Sequence, residues 1–289
     1  MSEAALETLR MDGAPVRDAI LAGLSSRLSA AGNPSVCLAT VLVGDDAPSA
    51  RYVASKHRTA AEVGITSVGV ELAATATQEQ VEAEVARLAA DPAVHGILVQ
   101  MPLPPHLDAE RVLALVPAEK DVDGLTETSL GRLVRGVPGH VGCTPLGVMR
   151  MLAHYGIETA GRRAVVIGRS TLVGLPMVLL LAQKGADATV TLAHSRTVDL
   201  VEVCRGADIV VSATGSARSI GAAHTKRGAV LVDVGISRTD AGITGDIDFA
   251  AVQGIASAVT PMPGGTGILT VACLMENTVA AAAMQGARV

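Results

Sequence analysis

Arg163-Ala164-Val165-Val166-Ile167-Gly168-Arg169-Ser170-Thr171-Leu172-Val173-Gly174-Leu175-Pro176 decides the fold. Its first part is a short apolar run without alternation, the pattern of a strand buried on both faces. A turn containing Gly168 and Gly174 follows, and residues 177–184 read as a helix. Strand, glycine turn and helix make the first βα unit of a dinucleotide-binding fold, in which backbone N–H groups and the helix N-terminus receive phosphate. The spacing is not G-x-G-x-x-G, and a lone glycine loop is also a common turn; the strand before it is the context the motif requires.

Working outward, the next strand, residues 188–192, ends in Ala193-His194-Ser195-Arg196. NAD-preferring folds carry an acid at that point for the ribose 2′-hydroxyl, and this chain does not. Ser195 and Arg196, with Arg169 from the glycine turn, suit a 2′-phosphate through charge-assisted hydrogen bonds, which favours NADP. The alternative is that these arginines are ordinary surface residues. Apolar strands at 207–213 and 229–236 follow, the first running into Thr214-Gly215 and the second closing on Gly235-Ile236, with glycine where backbone passes close to a ligand.

The first half shows the same alternation. Val16, Ile20, Leu24 and Leu28 recur at helical spacing and stop at Gly32-Asn33-Pro34; residues 37–43 and 96–99 are buried strands, 65–72 a third strand, and 77–90 a helix. Such β-α-β-α-β order builds a parallel sheet with right-handed crossovers, and its ligands lie beyond the carboxyl ends of the strands. Two loops fall there: Gln100-Met101-Pro102-Leu103-Pro104, and Lys120-Asp121-Val122-Asp123-Gly124, which also reads as a plain Asp/Gly turn. The expected class is α/β with two domains, each a mostly parallel sheet flanked by helices. Residues 1–142, completed by a returning helix at 268–289, form one domain, and 143–267 form a Rossmann-like NADP-binding domain.

One helix stands out. Ala47-Pro48-Ser49-Ala50-Arg51-Tyr52-Val53-Ala54-Ser55-Lys56-His57-Arg58 puts Tyr52 and Lys56 four residues apart, hence on one face. The chain has only two Tyr, one Phe and no Trp, so an aromatic in a polar, basic segment is not routine core filling. Lysines at helical spacing are otherwise solvated surface.

The 289 residues allow one large or two medium domains. With 23 Lys+Arg against 28 Asp+Glu the net charge is −5, which offers no general attraction to nucleic acid or an anionic membrane. Charge, Gly or Pro interrupts every apolar run before about 18 residues accumulate, so no membrane span is expected. Acid in Met1-Ser2-Glu3-Ala4-Ala5-Leu6-Glu7, where a secretory signal would be basic and then apolar, predicts a cytoplasmic protein. Cys37, Cys143, Cys204 and Cys273 are scattered without metal or disulfide spacing and read as small buried hydrophobes; no metal is expected. His106 and His140 read as solvated loop residues.

Together these motifs resemble the bifunctional methylenetetrahydrofolate dehydrogenase/methenyltetrahydrofolate cyclohydrolases. The matching stretches are Tyr52 to Lys56, Gly96 to Pro104, Lys120 to Gly124, Cys143-Thr144-Pro145, Gly168-Arg169-Ser170 with Val173-Gly174, and Pro261 to Gly265, in the family's order from about residue 14 to 277. The resemblance implies NADP as cofactor, tetrahydrofolate derivatives as substrates, a folate cleft where the two domains meet, and a homodimer. Carried over, Lys56 is the catalytic lysine, Tyr52 flanks the aminobenzoyl ring, Gln100 bonds near Lys56 and Asp123 holds the pterin. Met101, Gly264, Gly265 and Ile268 complete the substrate set; Gly168, Arg169, Ser170, Gly174, Ser195, Arg196, Thr214, Gly215 and Ile236 form the cofactor set. The chain departs from the family's pattern at Gly142 and Ile268, where proline is usual. Readings without the resemblance are another NADP-dependent dehydrogenase on a related fold, and a non-catalytic NADP- or folate-binding regulator.

Overall fold

The computed structural model describes residues 6–240 and 242–289. In chain order the elements are β1 (Leu9–Arg10), α1 (Gly13–Ala30), β2 (Cys37–Val43), α2 (Ala47–Glu62), β3 (Thr66–Leu72), α3 (Gln78–Ala90), β4 (Gly96–Val99), α4 (Ala109–Leu113), α5 (Glu127–Arg135), α6 (Cys143–His154), β5 (Arg163–Ile167), α7 (Gly174–Ala182), β6 (Thr189–Ala193), α8 (Leu200–Arg205), β7 (Ile209–Ser212), β8 (Val230–Asp233), β9 (Ser237–Thr239), β10 (Gly242–Thr244), β11 (Ala258–Val259) and α9 (Thr270–Met284). They divide into two units: Asp18–Cys143 with Val271–Val289, and the described part of Met1–Arg17 with Thr144–Thr270.

The first of these holds a three-stranded parallel sheet in the order β3-β2-β4. β2 is central and all seven of its residues are buried, which is why its sequence shows no alternation. Cys37, Ala39, Val41 and Val43 pack with Val81, Val85 and Leu88 of α3 and with Ile97 and Val99 of β4. Edge strand β3 is largely exposed. Helix α3 opens with a Thr77/Gln80 capping box. Its last carbonyls are met by Lys120, only 8% exposed, whose Nζ donates to Ala89 O at 2.9 Å and Asp91 O at 2.7 Å. Asp121 accepts from Leu125 N at 3.1 Å and Thr126 N at 2.9 Å, setting the entry to α5. Thr126 caps that helix and Gly136, at φ +61°, ends it.

Helix α9 completes this unit with nine buried residues. Asn277, one of two buried polar residues near mid-helix, donates Nδ2 to Val122 O at 2.8 Å and Val141 O at 2.9 Å. The expectation that no segment is long and apolar enough for a membrane span is corrected here. Residues Thr266–Met284 form a continuous helical stretch of mean hydropathy 1.5 that meets the length and composition test, because a short 3-10 turn at Thr266–Leu269 runs into α9. The core helix of a soluble protein passes the same test, and α9 is mostly buried.

The second unit carries a six-stranded sheet in the order β1-β11-β8-β7-β5-β6, every pair parallel. The chain leaves β5 to β6 on one side and returns to β7 on the other, which creates the switch point where such sheets bind ligands. Val165, Ile167, Val210, Leu231 and Val259 form its core with Cys204 and Ala207. Residues 6–17 belong to this unit, not to the first domain as expected: β1 pairs with β11, Met11 N donates to Val259 O at 2.9 Å, and Gly13 N to Gly264 O at 2.8 Å. A Cβ on Gly13 would overlap Gly265 O. The two residues of β1 are exposed and pair with β11 through their backbone, with the Arg10 guanidinium over the Phe249 ring at 5.6 Å, so no hydrophobic pattern announces them. His140 is also corrected. It is 2% exposed, its Nε2 bonded to Glu119 O at 3.2 Å.

Lys120→Met removes the donor to Ala89 O and one of the two donors to Asp91 O at the end of α3, and with it a nearly buried ammonium, at a cost of about 1–3 kcal/mol. Urea denaturation should show a loss of that size; a change below about 0.5 kcal/mol, typical of a surface site, would contradict the capping role.

Candidate active site

Helix α2 starts at Asp46, whose carboxylate accepts from Ser49 N at 2.9 Å, one residue earlier than the Pro48-Ser49 signal suggests. Its buried residues are Ser49, Val53, Lys56 and Ala60, a single stripe at helical spacing. Lys56 therefore lies on the inward face, 5% exposed, while Tyr52, one turn earlier, is 39% exposed. His57 ties the helix to the sheet through Thr40 Oγ1 at 2.9 Å and Ser67 Oγ at 2.6 Å. That fixes the direction of its neighbour.

Lys56 Nζ donates to Gln100 Oε1 at 2.8 Å and sits 4.5 Å from the centroid of the Tyr52 ring. Gln100 is held in turn: its N donates to Val41 O at 2.8 Å, extending the β2–β4 ladder by one residue, and its Nε2 to Met101 O at 2.6 Å. Burial pushes the Lys56 ammonium below its ordinary range, against the opposing attraction of Asp123 and Cys143. Burial also pushes the Asp123 carboxyl up, opposed by Lys56 and by a hydrogen bond from the Cys143 thiol. The site therefore holds an amine and a carboxyl both driven toward their neutral forms. Of the Lys120 to Gly124 turn, only Asp123 reaches it; Lys120 and Asp121 serve α3 and α5. Gly124, at φ +64°, lies against Val141 and Gly142 with no room for a Cβ.

Sequence reasoning missed two residues here. Cys143, read only as a small hydrophobe, is buried, and burial and the nearby Asp123 hold its thiol well above the usual range. Asn277 fixes the carbonyl of Val122, the residue before Asp123. A lone Asn in an apolar helix was the available signal.

In the other unit, the ends of β5, β6 and β7 surround a cavity of about 390 Å³ lined by Gly168, Arg169, His194, Ser195, Thr214 and Ser216 among others. A Cβ on Gly168 would press on Ala213 O, and one on Gly174 would overlap Gly168 O, so this cradle admits only glycine. Ser170 is exposed and its Oγ accepts from Val173 N at 3.2 Å. Arg196 is exposed next to Ser195, its N bonded to His194 Nδ1 at 3.1 Å, and does not line the cavity. Gly215 accepts from Ser237 Oγ at 3.0 Å, and Ile236 is exposed beside it in the chain at 58%. A glycine cradle, a nearby arginine and no carboxylate at residues 193–196 fit a dinucleotide bearing a 2′-phosphate. Gly264, Gly265 and Ile268 belong to this unit, in the loop and turn before α9. Sequence reasoning also passed over Asp233, 1% exposed, whose carboxyl burial and the neighbouring Asp246 push up to about 6 against three backbone hydrogen bonds.

The comparisons agree with both halves. The family model described as "Tetrahydrofolate dehydrogenase/cyclohydrolase, catalytic domain" matches residues 11–123, and "Tetrahydrofolate dehydrogenase/cyclohydrolase, NAD(P)-binding domain" matches 142–286. "Bifunctional protein FolD" of Methanoculleus marisnigri is 52% identical over 249 residues, 86% of this chain and 87% of its own. Among solved structures, FolD of Campylobacter jejuni superposes with a TM-score of 0.92 at 40% identity, covering 96% of this chain and 99% of that one. A Trypanosoma brucei methylenetetrahydrofolate dehydrogenase-cyclohydrolase, solved with NADP and an inhibitor, has a TM-score of 0.87 at 37% identity, covering 95% and 97%. The chain belongs to the tetrahydrofolate dehydrogenase/cyclohydrolase family.

Proposed function

We propose that this protein oxidises 5,10-methylenetetrahydrofolate to the 5,10-methenyl cation with NADP⁺ and then adds water to give 10-formyltetrahydrofolate. The observation that carries this reading is the buried Lys56 amine, bonded to Gln100 at 2.8 Å, faced by the Tyr52 ring and within the field of Asp123. NADP⁺ supplies the hydride acceptor, and Gly168, Arg169, Ser170, Gly174, Ser195, Arg196, Thr214, Gly215 and Ile236 are the residues assigned to hold it. Tyr52 gives a flat wall for the aminobenzoyl ring; Asp123 meets the pterin; Met101, Gly264, Gly265 and Ile268 complete the substrate set.

Water addition to the methenyl carbon forms a C–O bond and releases a proton, and cleavage of the C–N5 bond of the tetrahedral adduct, with N5 leaving as the amine, puts the formyl group on N10; a base is useful for the first of these steps. Burial favours the neutral form of Lys56, which can take that proton. A cationic substrate beside it acts in the same direction. Gln100 orients the amine without a negative charge that would raise its pKa again. An amide therefore suits position 100 better than a carboxylate.

The same reading assigns folate chemistry to the unit containing β2 and α2, and cofactor binding to the unit containing β5. It makes the protein a cytoplasmic homodimer acting on small molecules, with neither nucleic acid nor membrane as a partner. Support for a second copy comes from the edge strand β3, whose Val68 is 41% exposed.

Lys56→Met should lower cyclohydrolase turnover by at least about 100-fold, the scale of lost general-base catalysis, while NADP⁺ binding persists. Near-normal turnover would remove Lys56 from the mechanism. Because the base must be deprotonated, the wild-type cyclohydrolase rate should rise with pH, with an apparent pKa below the ordinary lysine value of about 10.4. A rise only at that value would contradict the role of burial. Replacing Arg169 and Arg196 together by Ala should raise KM for NADP⁺ by about 10–100-fold, the worth of a hydrogen bond between charged groups, with little change for NAD⁺. Equal effects on the two cofactors would place neither arginine on the 2′-phosphate.

A further inference from the structure

Asp246 is 0% exposed and its carboxylate faces the loop that follows β7. Oδ2 accepts from Ser212 Oγ at 2.9 Å and from Thr214 N at 2.6 Å, and Oδ1 accepts from Ser216 N at 2.9 Å. Its main chain holds the continuation of the same loop. Asp246 O accepts from Ile220 N at 2.9 Å, Gly245 O accepts from Arg218 N at 3.0 Å, and Asp248 N donates to Ile220 O at 2.8 Å. Residues 212–220 are thus strung along residues 245–248. Thr214, Ser216, Ser219 and Ile220 all line the 390 Å³ cavity.

Asp246 is itself held from behind. Its N donates to Asp233 Oδ1 at 3.0 Å, and Ile247 N donates to Asp233 Oδ2 at 2.8 Å. Asp233 Oδ1 also accepts from Gly235 N at 3.0 Å. Gly235 and Gly245 make room for the pair, since a Cβ on the first would overlap the Asp246 carboxylate and one on the second the Asp233 carboxylate. Backbone donors of a loop facing a ligand are free to choose other partners unless something buried fixes them. Here two carboxylates do so.

We propose that Asp246 is a positioning residue for the cofactor: its buried carboxylate sets the backbone of residues 214–216 as one wall of the nucleotide cavity, without touching the nucleotide. This rests on the reading of that cavity as the NADP site. Asp246→Asn keeps the shape but turns an acceptor into an NH₂ group that faces a backbone N–H, either Thr214 N or Ser216 N.

The two activities separate positioning from general stability, because hydrolysis of methenyltetrahydrofolate can be assayed without cofactor. In Asp246→Asn, KM for NADP⁺ in the dehydrogenase assay should rise about tenfold or more, kcat at saturating NADP⁺ should change far less, and cofactor-free cyclohydrolase activity should be kept. Ser212→Ala, which removes one of the three donors to the carboxylate and replaces a buried hydroxyl by a methyl group, should raise KM for NADP⁺ in the same direction by a smaller factor. An unchanged KM in folded Asp246→Asn overturns the proposal. So does parallel loss of both activities in Ser212→Ala, which would make the network a general structural one. If Asp246→Asn does not fold, Ser212→Ala decides alone, and its unchanged KM overturns the proposal. Wild-type protein that binds no NADP⁺ would instead sink the assignment of the cavity.

Discussion

The active site depends on keeping one amine out of water. Lys56 lies on the buried stripe of α2, and an uncompensated charge there would cost several kcal/mol. Gln100, the Tyr52 ring and Asp123 offset part of that cost, yet burial remains the largest influence on the ammonium. The surrounding structure serves this balance. The Asp46 cap and the His57 bonds fix α2, the β2–β4 ladder fixes Gln100, and Asn277 fixes the carbonyl just before Asp123. Asp123 is the carboxyl that acts on the amine, and burial raises it in turn.

The architecture was legible in the sequence where apolar runs were long and buried. β2, β5, β7 and β8 are central strands and β4, at a sheet edge, is buried along its whole length, so none of them alternates; the glycine turn after β5 could be placed because a strand preceded it. Helix α5 was not legible. Only Ser129 and Leu133 of its nine residues are buried, and its start is set by Asp121, a residue outside it. β1 was missed for a related reason: two exposed residues pair through backbone hydrogen bonds, so residues 6–17 fall in the unit opposite to the one expected. At α9 the length and composition test for a span is met, because burial within a protein core and apolarity look alike in composition.

The site was legible in part. Tyr52 and Lys56 declare themselves by spacing, Gln100 by lying just past a strand end and Asp123 by its place in an Asp/Gly turn, but the sequence could not say that Lys120 and Asp121, in the same turn, face other tasks. On the cofactor side, the glycine turn was visible because it follows a strand, and Gly168 and Arg169 do line the cavity. Asp233 and Asp246 were not, since their partners are backbone N–H groups whose positions exist only after folding. Side chains that act through backbone leave little pattern in a sequence.

The central claim is that burial lowers the affinity of Lys56 for its proton. NMR titration of protein with isotope-labelled lysine side chains, with the Lys56→Met variant used to assign the signal, measures this directly. The account predicts a resonance, absent from the variant, that titrates below the common lysine value of about 10.4 and moves back up in Gln100→Glu, where a nearby negative charge favours the ammonium. A Lys56 resonance titrating with the surface lysines would contradict it.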